Sequence, residues 1–290
     1  MSHPRRFSIL SLALACLLPR PAIAHPGSGI VVDRLGQVYF VDMVSGIWKL
    51  NANGGLTHLP GQAFHWMTLD ADGRFGGGQL PSGTGGDFTR IGSNPTLLLA
   101  SDFPIAIAPD GNLYFPTKGG TAVQLKRFTP AGQTGILATL PTATMSGQPL
   151  RWINGLAAGP NGSFYYSEDD AIRRISRDGA VTAVGGRVPT SGCSTAGALL
   201  RGLDVDPAGN VYVADAGCGR VLKVAPSGAV TILPQVERPW FPTGVALSGS
   251  DLYVLEFENP DTDDRRAMLP RIRKIAADGT TRVVATVTRH

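Results

Sequence analysis

The chain has 290 residues, of which 43% are hydrophobic and 17% are charged, and its formal net charge at pH 7 is +4. Residues 1–24 contain three of the arginines and no acidic residue, which leaves +1 for residues 25–290. Nucleic-acid-binding domains carry clustered lysine and arginine. The basic stretch DDRRAMLPRIRK at 263–274 overlaps the acidic stretch EFENPDTDD at 256–264, so its charge is locally neutralised. These features argue against nucleic acid as a partner.

The first predicted element is an export signal. Two arginines at 5–6 precede an apolar run over 7–18, and the sequence AIA follows at 22–24. The apolar run is too short to span a bilayer, and no later run is longer. The pattern predicts a chain without a transmembrane span that is exported to the periplasm or the medium and begins at His25. A lipoprotein acylated at Cys16 is the alternative.

A turn followed by a hydrophobic residue and a tyrosine recurs along the rest of the chain. Six copies begin at 29, 66, 104, 155, 202 and 244, with the sequences GIVVDRLGQVYFVD, WMTLDADGRFGGGQ, PIAIAPDGNLYFPT, GLAAGPNGSFYYSE, GLDVDPAGNVYVAD and GVALSGSDLYVLE. Most copies continue into a third strand, a polar turn and a fourth strand. Each copy therefore predicts four strands bounded by Gly, Asp, Asn and Pro turns.

A single sheet of this kind cannot bury both of its faces, but copies arranged around an axis bury them against one another. The sequence predicts an all-β fold, a six-bladed β-propeller with four antiparallel strands per blade. Residues 25–290 form this single domain, after a signal peptide at 1–24. The first copy begins near Ser28 with an innermost strand and the last ends near Val287 with an outermost strand, so we expect closure without strand exchange. We also expect a monomer.

Two copies resemble known propeller repeats closely. GLDVDPAGNVYVADAGCGRVLKVAPSG at 202–228 and GLAAGPNGSFYYSEDDAIRRISRDG at 155–179 resemble the NHL family of six-bladed propellers. NGLAAGPNG, at 154–162, is similar to the "NG" strand start of SMP-30/gluconolactonase-like propellers. The resemblance implies a structural ion pair across the second loop of a blade. It assigns such pairs to Asp215 with Arg220 and to Glu168 with Arg173, whereas Asp42 in blade 1 faces Ile47 and has no arginine there.

Long irregular segments fall on one face of the predicted ring, where the first strands begin. Loops on a rigid scaffold commonly carry binding residues. Trp66, Trp152 and Trp240 lie at first-strand starts on this face. They either stack on a flat ligand, such as a sugar or an aromatic ring, or plug the central opening.

Six residues open the innermost strands and should face the central opening: Ser28, His65, Phe103, Asn154, Arg201 and Thr243. Similarity to SMP-30-like hydrolases implies calcium on acidic and asparagine oxygens at these positions. Asn154 matches that pattern, but Ser28 and Arg201 replace its acids. Arg201 instead indicates an anionic or carbonyl-bearing ligand. Asn154, Arg201 and His65, with the three tryptophans, are the candidate ligand-binding residues.

A copper site is a second hypothesis for this face. Cleavage before His25 would expose an α-amine and an imidazole three residues from the first strand, and His65 opens the adjacent strand. Three nitrogen ligands suit copper(II). The alternative is that His25 begins a flexible tail that binds no metal.

Cys193 and Cys218 both fall on the loop-bearing edge of blade 5, and an exported chain is exposed to oxidation. The sequence predicts a disulfide between them rather than a catalytic cysteine.

Three classes of function remain. The first is binding of a small ligand at the central opening, such as a sugar, a lactone or another carbonyl or anionic compound. The second is a metal-dependent hydrolase or lyase of lactonase type. The third is a non-catalytic scaffold for a glycan or a protein. The sequence leaves catalysis, and the presence of calcium or copper, open.

Overall fold

The computed structural model describes residues 26–82, 87–101, 103–119, 122–140, 153–191, 193, 197–235, 237–258 and 265–289. These residues form six antiparallel sheets arranged one after another along the chain. The described residues contain no α-helix. They include two short 3-10 turns, Pro160–Gly162 and Arg265–Ala267. None of their helices has the length and apolar character needed to cross a membrane. The fold is the predicted all-β six-bladed propeller.

The strands are numbered in chain order, and the first strand of each blade lies nearest the propeller axis. Those of blades 1 to 3 are β1 (Ile30–Val32), β2 (Val38–Asp42), β3 (Gly46–Leu50), β4 (Leu56–Pro60), β5 (Trp66–Asp70), β6 (Phe88–Ile91), β7 (Thr96–Ala100), β8 (Ala106–Ile107), β9 (Leu113–Gly119), β10 (Ala122–Phe128) and β11 (Thr134–Leu140). Those of blades 4 to 6 are β12 (Gly155–Ala158), β13 (Phe164–Ser167), β14 (Ile172–Ile175), β15 (Val181–Ala183), β16 (Leu200–Val205), β17 (Val211–Asp215), β18 (Arg220–Val224), β19 (Val230–Ile232), β20 (Trp240–Ser248), β21 (Asp251–Glu258), β22 (Pro270–Ile275) and β23 (Thr281–Thr286).

Five of the sheets have four strands in chain order, and blade 2 differs from the predicted repeat. Its described sheet has three strands in the order β5-β7-β6, so the segment 96–100 lies where the repeat predicts 73–78. All five residues of β7, TLLLA, are buried. The segment 73–78 is rich in glycine, which weakens a strand. Phe75, in the middle of this segment, lies in a turn rather than in a strand. Its backbone N–H donates to Asp70, and its ring packs near Phe128 of blade 3.

Tight turns connect the first to the second strand and the third to the fourth strand on one end of the propeller, here called the turn face. In blade 3, Gly111 donates its backbone N–H to Ala108, with an N···O distance of 2.8 Å, and has a φ of 77°. Only glycine adopts this conformation without steric cost. The opposite end, here called the loop face, carries the first-strand starts and the loops between second and third strands.

The core consists of apolar clusters between neighbouring blades rather than one central core. One cluster joins Tyr114 and Leu125 of blade 3 to Leu156 and Phe164 of blade 4. Another joins blade 1 to both of its neighbours and contains Phe40, which is fully buried. Each sheet thus buries both faces, as the repeat predicts, and the ring holds the first strands around an open axis.

Blade 6 closes onto blade 1 without strand exchange, as predicted. Thr243 Oγ donates a hydrogen bond to the carbonyl of Gly27 at 2.8 Å. Beyond the last strand, Arg289 forms an ion pair with Asp42 and donates to the carbonyl of Arg266. The Asp42 side chain is fully buried. Arg289 therefore supplies the cation that blade 1 lacks at Ile47, the position in its third strand where the repeat would place an arginine.

Replacement of Gly244 by alanine should loosen this closure. A Cβ at Gly244 would lie 2.3 Å from the carbonyl oxygen of Ser28, which is backbone and cannot rotate away. Overpacking of this kind costs about 1–3 kcal/mol. Urea unfolding should show that loss for Gly244→Ala and almost none for Gly61→Ala, where a Cβ meets nothing within 4 Å. Equal stability of the two variants would contradict this description of the junction.

Candidate ligand site at the mouth of the channel

A channel cavity of about 310 Å³ follows the propeller axis and is lined by the first strands of all six blades. Its opening on the loop face, here called the mouth, lies where the first strands begin. Ser28 lines the cavity. Asn154 and His65 lie directly before β12 and β5, and Arg201 is the second residue of β16. The structure thus places these predicted residues at one end of the ring.

Asn154 is held at the mouth by a loop of its own blade. Its Nδ2 donates to Asp169 Oδ1 at 3.0 Å, and its backbone N–H donates to the carbonyl of Ser167 at 2.9 Å. Asp169 lies between β13 and β14, and its carbonyl accepts a hydrogen bond from Leu200 N of blade 5 at 2.8 Å. This loop therefore ties blades 4 and 5 together and brings the Asp169 carboxylate into the electrostatic range of Arg201.

Arg201 is half-buried, and its backbone carbonyl accepts a hydrogen bond from Ser167 Oγ at 2.7 Å. Burial lowers the pKa of Arg201, and the charge of Asp169 offsets part of that effect. The guanidinium makes no hydrogen bond or ion pair with another residue of the described ranges. A guanidinium presents a planar pair of donors that matches a carboxylate or a phosphate. Arg201 is therefore a charged donor without an acceptor among the residues that the structure describes.

His65 joins the first two blades at the mouth. Its ring Nδ1 lies 2.7 Å from the carbonyl oxygen of Ser101, so this nitrogen carries the proton. Its own backbone carbonyl accepts hydrogen bonds from Ser28 N at 2.8 Å and Gly29 N at 2.9 Å. His25, the other ligand of the copper hypothesis, lies outside the described residues. The pairing of His25 with His65 stays a prediction.

The tryptophans differ in how much ring they offer to a ligand. Trp66 is 7% exposed and packs into the apolar cluster between blades 2 and 3. The ring of Trp240 is covered by Arg271, whose guanidinium carbon lies 4.0 Å from the ring centroid. Trp152 lies outside the described residues. Stacking of a ligand on these rings stays a prediction, and Trp66 and Trp240 already pack against the protein.

The predicted disulfide between Cys193 and Cys218 is present, with a Cα–Cα distance of 4.4 Å. It joins the loop before β16 to the loop between β17 and β18. The predicted pair of Asp215 and Arg220 lies directly beneath it, with Nε and Oδ2 3.0 Å apart and both side chains buried. Arg220 also donates to the carbonyl of Pro189. Together these contacts fix the segment that leads into Arg201.

The ion pair predicted in blade 4 is also present, but it is longer and more exposed to solvent than the pair in blade 5. Arg173 Nε lies 3.4 Å from Glu168 Oε2, and the Arg173 side chain is 33% exposed. Blade 6 uses two arginines for one acid, since Arg271 and Arg273 both contact the buried Glu256. These pairs recur at the same place in several blades, which supports a structural role rather than catalysis.

The side chains at the mouth do not fit a calcium ion. Calcium takes six to eight oxygen ligands and needs several carboxylates. Acids at or near the ends of the second strands of four blades are paired with arginines, as described for Asp42, Glu168, Asp215 and Glu256. Among the described residues, Ser28 Oγ is buried without a hydrogen-bond partner, but a hydroxyl adds no charge. Arg201 adds a positive charge in the electrostatic range of Asp169, which opposes the binding of a cation there.

One group of three potential metal ligands occurs within the described residues, and it consists of Cys193, Asp215 and Cys218. The two sulfurs are bonded to each other, and the Asp215 carboxylate accepts hydrogen bonds from Arg220 Nε, Leu199 N and Cys218 N. This group is therefore structural.

Asp204 faces the inside of the channel from β16. Its Oδ1 accepts the backbone N–H of Val205 and its Oδ2 accepts that of Leu247 in blade 6, both at 2.8 Å. Thr68 plays the same part in blade 2, where its hydroxyl accepts the N–H of Ile107 at 3.0 Å. Burial raises the pKa of Asp204 from its ordinary value to about 6. The channel thus contains a carboxyl group that titrates near neutral pH.

Sequence reasoning missed Asp169 and Asp204. The repeat assigns Glu168 to an ion pair. No spacing in the sequence indicates that the next residue, Asp169, contacts blade 5. Asp204 could have been found in the sequence GLDVD at 202–206, because its carboxylate interrupts an otherwise apolar first strand.

The SMP-30/Gluconolactonase/LRE-like family model matches residues 104–256, which is more than half of the chain. No curated protein matches the sequence. Solved structures share the propeller. Regucalcin from Agrobacterium tumefaciens, a calcium-binding protein, is 18% identical, with a TM-score of 0.56 over 83% of this chain and 85% of its own. A luciferin-regenerating enzyme is 17% identical, with a TM-score of 0.54 over 85% and 91%.

Virginiamycin B lyase from Staphylococcus aureus is 15% identical, with a TM-score of 0.52 over 91% of this chain and 85% of its own. At these identities the likeness to solved structures shows the fold alone. The family model shows more, because it matches the sequence itself over more than half of the chain. The matched residues, 104–256, carry the third, fourth and fifth blades and the start of the sixth. The chain belongs to the SMP-30/gluconolactonase/LRE-like family.

Proposed function

We propose that the protein binds a small ligand with a carboxylate, a phosphate or a polarised carbonyl oxygen at the mouth of the channel. The observation that carries this proposal is the guanidinium of Arg201, which is half-buried and has no hydrogen bond or ion pair within the described residues. The anionic or carbonyl group of the ligand would accept its paired donors. Asp169 and Asn154 would contact hydroxyl groups of the same ligand, as a sugar or a lactone provides.

This binding mode needs no metal, because Arg201 supplies the positive charge that calcium would supply. A lactonase-like hydrolase or lyase is the alternative in which binding is followed by reaction. A non-catalytic scaffold for a glycan or a protein is the other alternative. The cation at the mouth supports a small anionic or carbonyl ligand over a glycan or protein partner, and turnover distinguishes the hydrolase from simple binding.

Export and a monomeric state belong to the same proposal. The disulfide between Cys193 and Cys218 supports an oxidising compartment such as the periplasm or the medium. Residues 1–24, which carry the predicted signal peptide, lie outside the described residues.

Titration calorimetry with sodium gluconate tests the proposal. We expect EDTA-treated protein to bind gluconate and Arg201→Gln to bind at least ten-fold more weakly, since a desolvated charge pair is lost. Arg187→Gln is the matched control, because Arg187 lies on the same face but is exposed and paired with Asp170. Loss of binding on EDTA treatment, or equal affinity of Arg201→Gln, would refute the metal-free site. Turnover of glucono-1,5-lactone would favour the hydrolase.

The copper hypothesis rests on ligand type and on the position of His65. Copper titration of protein that begins at His25, against protein with one extra N-terminal residue, tests it. Equal binding by the two forms would end it.

A further inference from the structure

A cavity of about 570 Å³ lies away from the mouth, on the turn face between blades 3 and 4. Its floor is formed by the tight turns of the two blades, at Asp110 and at Asn161–Gly162, and by the start of β11. It shares no residue with the channel cavity. It is therefore a separate groove, large enough for a ligand of drug-like size.

One side of this groove is apolar and aromatic. The ring centroids of Tyr114 and Phe164, from the second strands of blades 3 and 4, lie 4.2 Å apart. Ile136, on the rim, is 59% exposed, although a side chain of this size is usually buried. A planar apolar group could lie along this wall.

The other side of the groove carries two arginines, Arg127 and Arg177. Neither guanidinium makes a hydrogen bond or an ion pair with another residue of the described ranges. The aliphatic part of Arg177 lies over Gly162, where a Cβ would come within 3.6 Å of its carbons. The Arg177 side chain therefore lies beside Gly162 at the edge of the groove.

The acid in the groove does not neutralise these arginines by direct contact. Asp110 accepts hydrogen bonds from Tyr114 OH at 2.7 Å and from Asn112 N and Nδ2 at 3.0 and 2.9 Å. Burial alone would raise the pKa of Asp110, but these hydrogen bonds and the nearby charge of Arg127 hold it below its ordinary value. Asp110 accepts its hydrogen bonds from Asn112 and Tyr114 of its own blade, so the N–H donors of both guanidinium groups are left for a ligand.

Two other grooves between blades are smaller. The groove between blades 4 and 5, of about 340 Å³, contains Tyr165 and Arg174. The groove between blades 1 and 6, of about 350 Å³, contains Tyr253, Arg282 and Lys274, whose Nζ lies 2.6 Å from Asp251. The groove between blades 3 and 4 differs from these two because it is larger and combines two neighbouring aromatic rings with two arginines.

We infer that this groove is a second binding site, for a planar aromatic compound that carries a carboxylate, sulfonate or phosphate group. The aromatic part lies against Tyr114, Phe164 and Ile136. The anionic group accepts hydrogen bonds from Arg127 and Arg177. The site is independent of the ligand proposed for the mouth, because the groove lies on the turn face, the mouth lies on the loop face, and the two cavities share no lining residue.

Fluorescence titration with 1-anilinonaphthalene-8-sulfonate, a naphthalene sulfonate, tests the inference on the folded, full-length mature protein. We expect one saturable site in the native protein. The double variant Arg127→Gln/Arg177→Gln should bind the dye at least ten-fold more weakly, and Ile136→Glu should weaken it similarly by placing a negative charge on the rim. Both arginines are exposed, so the melting temperature should not change.

Two controls locate the site. Arg174→Gln, in the groove between blades 4 and 5, should leave dye affinity unchanged, and so should Arg201→Gln at the mouth. The affinity for the neutral analogue N-phenyl-1-naphthylamine should be less than two-fold lower in the double variant than in the wild type. Unchanged dye affinity in the double variant, absence of saturable binding, or loss of binding in Arg201→Gln would each overturn the inference.

Discussion

Replacement of Arg220 by alanine is expected to lower the free energy of unfolding by about 3–5 kcal/mol, the range for breaking a buried ion pair. The Arg220 and Asp215 side chains are 1% and 0% exposed. Without Arg220, the Asp215 charge keeps two backbone N–H donors but loses its cation. Arg220 also donates to the carbonyls of Pro189 and Ser191, so the loop before β16 would lose its anchor.

Urea unfolding under oxidising conditions measures this effect, because the disulfide then stays intact in both proteins. Arg173→Ala is the matched control in blade 4. Arg173 is 33% exposed and its contact with Glu168 is longer, so its loss should cost no more than about 1 kcal/mol. Similar losses for the two variants would show that burial does not decide the strength of these repeated pairs.

The stability of the protein should also depend on pH through Asp204. Burial raises the pKa of Asp204 from 3.8 to about 6 in the folded state, so folding favours its protonated form. Its contribution to stability is therefore fully present below pH 3.8 and is lost as the pH rises through 6. The shift corresponds to about 3 kcal/mol, since one pKa unit is worth about 1.4 kcal/mol.

Unfolding free energies of the wild type and of Asp204→Asn, measured from pH 4 to pH 7, isolate this contribution. The wild-type value minus the variant value should fall by roughly 2–2.5 kcal/mol over that interval, because part of the total of about 3 kcal/mol is already lost at pH 4. Thr68→Val is a useful control, since Thr68 makes the corresponding contact in blade 2 but does not titrate. A difference that stays constant with pH would mean that Asp204 does not titrate in this range.

The repeat predicted most of the fold because each copy encodes its own sheet. Turn glycines, the tyrosine of the second strand and the apolar third strand lie at similar spacing in five blades. Blade 2 deviates because pairing depends on which segment buries more apolar surface. TLLLA at 96–100 is a better central strand than the glycine-rich 73–78, although it comes later in the chain.

The candidate site was predicted less completely than the fold. Asn154, Arg201 and His65 could be placed because they occupy equivalent positions before or in the first strands. Asp169 could not, since its effect on Arg201 depends on the distance between two different blades. The partner of Asp42 was also missed, because Arg289 is 247 residues away and no repeat spacing indicates it.

The pairing of Asp42 with Arg289 has a consequence for the order in which the molecule folds. Arg289 follows the last strand, so it leaves the ribosome after every blade has been synthesised. Until then the Asp42 carboxylate lacks its cation, and the facing sides of blades 1 and 6 are exposed to solvent. Closing so long a loop is entropically costly and slow. The ring should therefore assemble blade by blade and close only at the end, when Arg289 reaches Asp42.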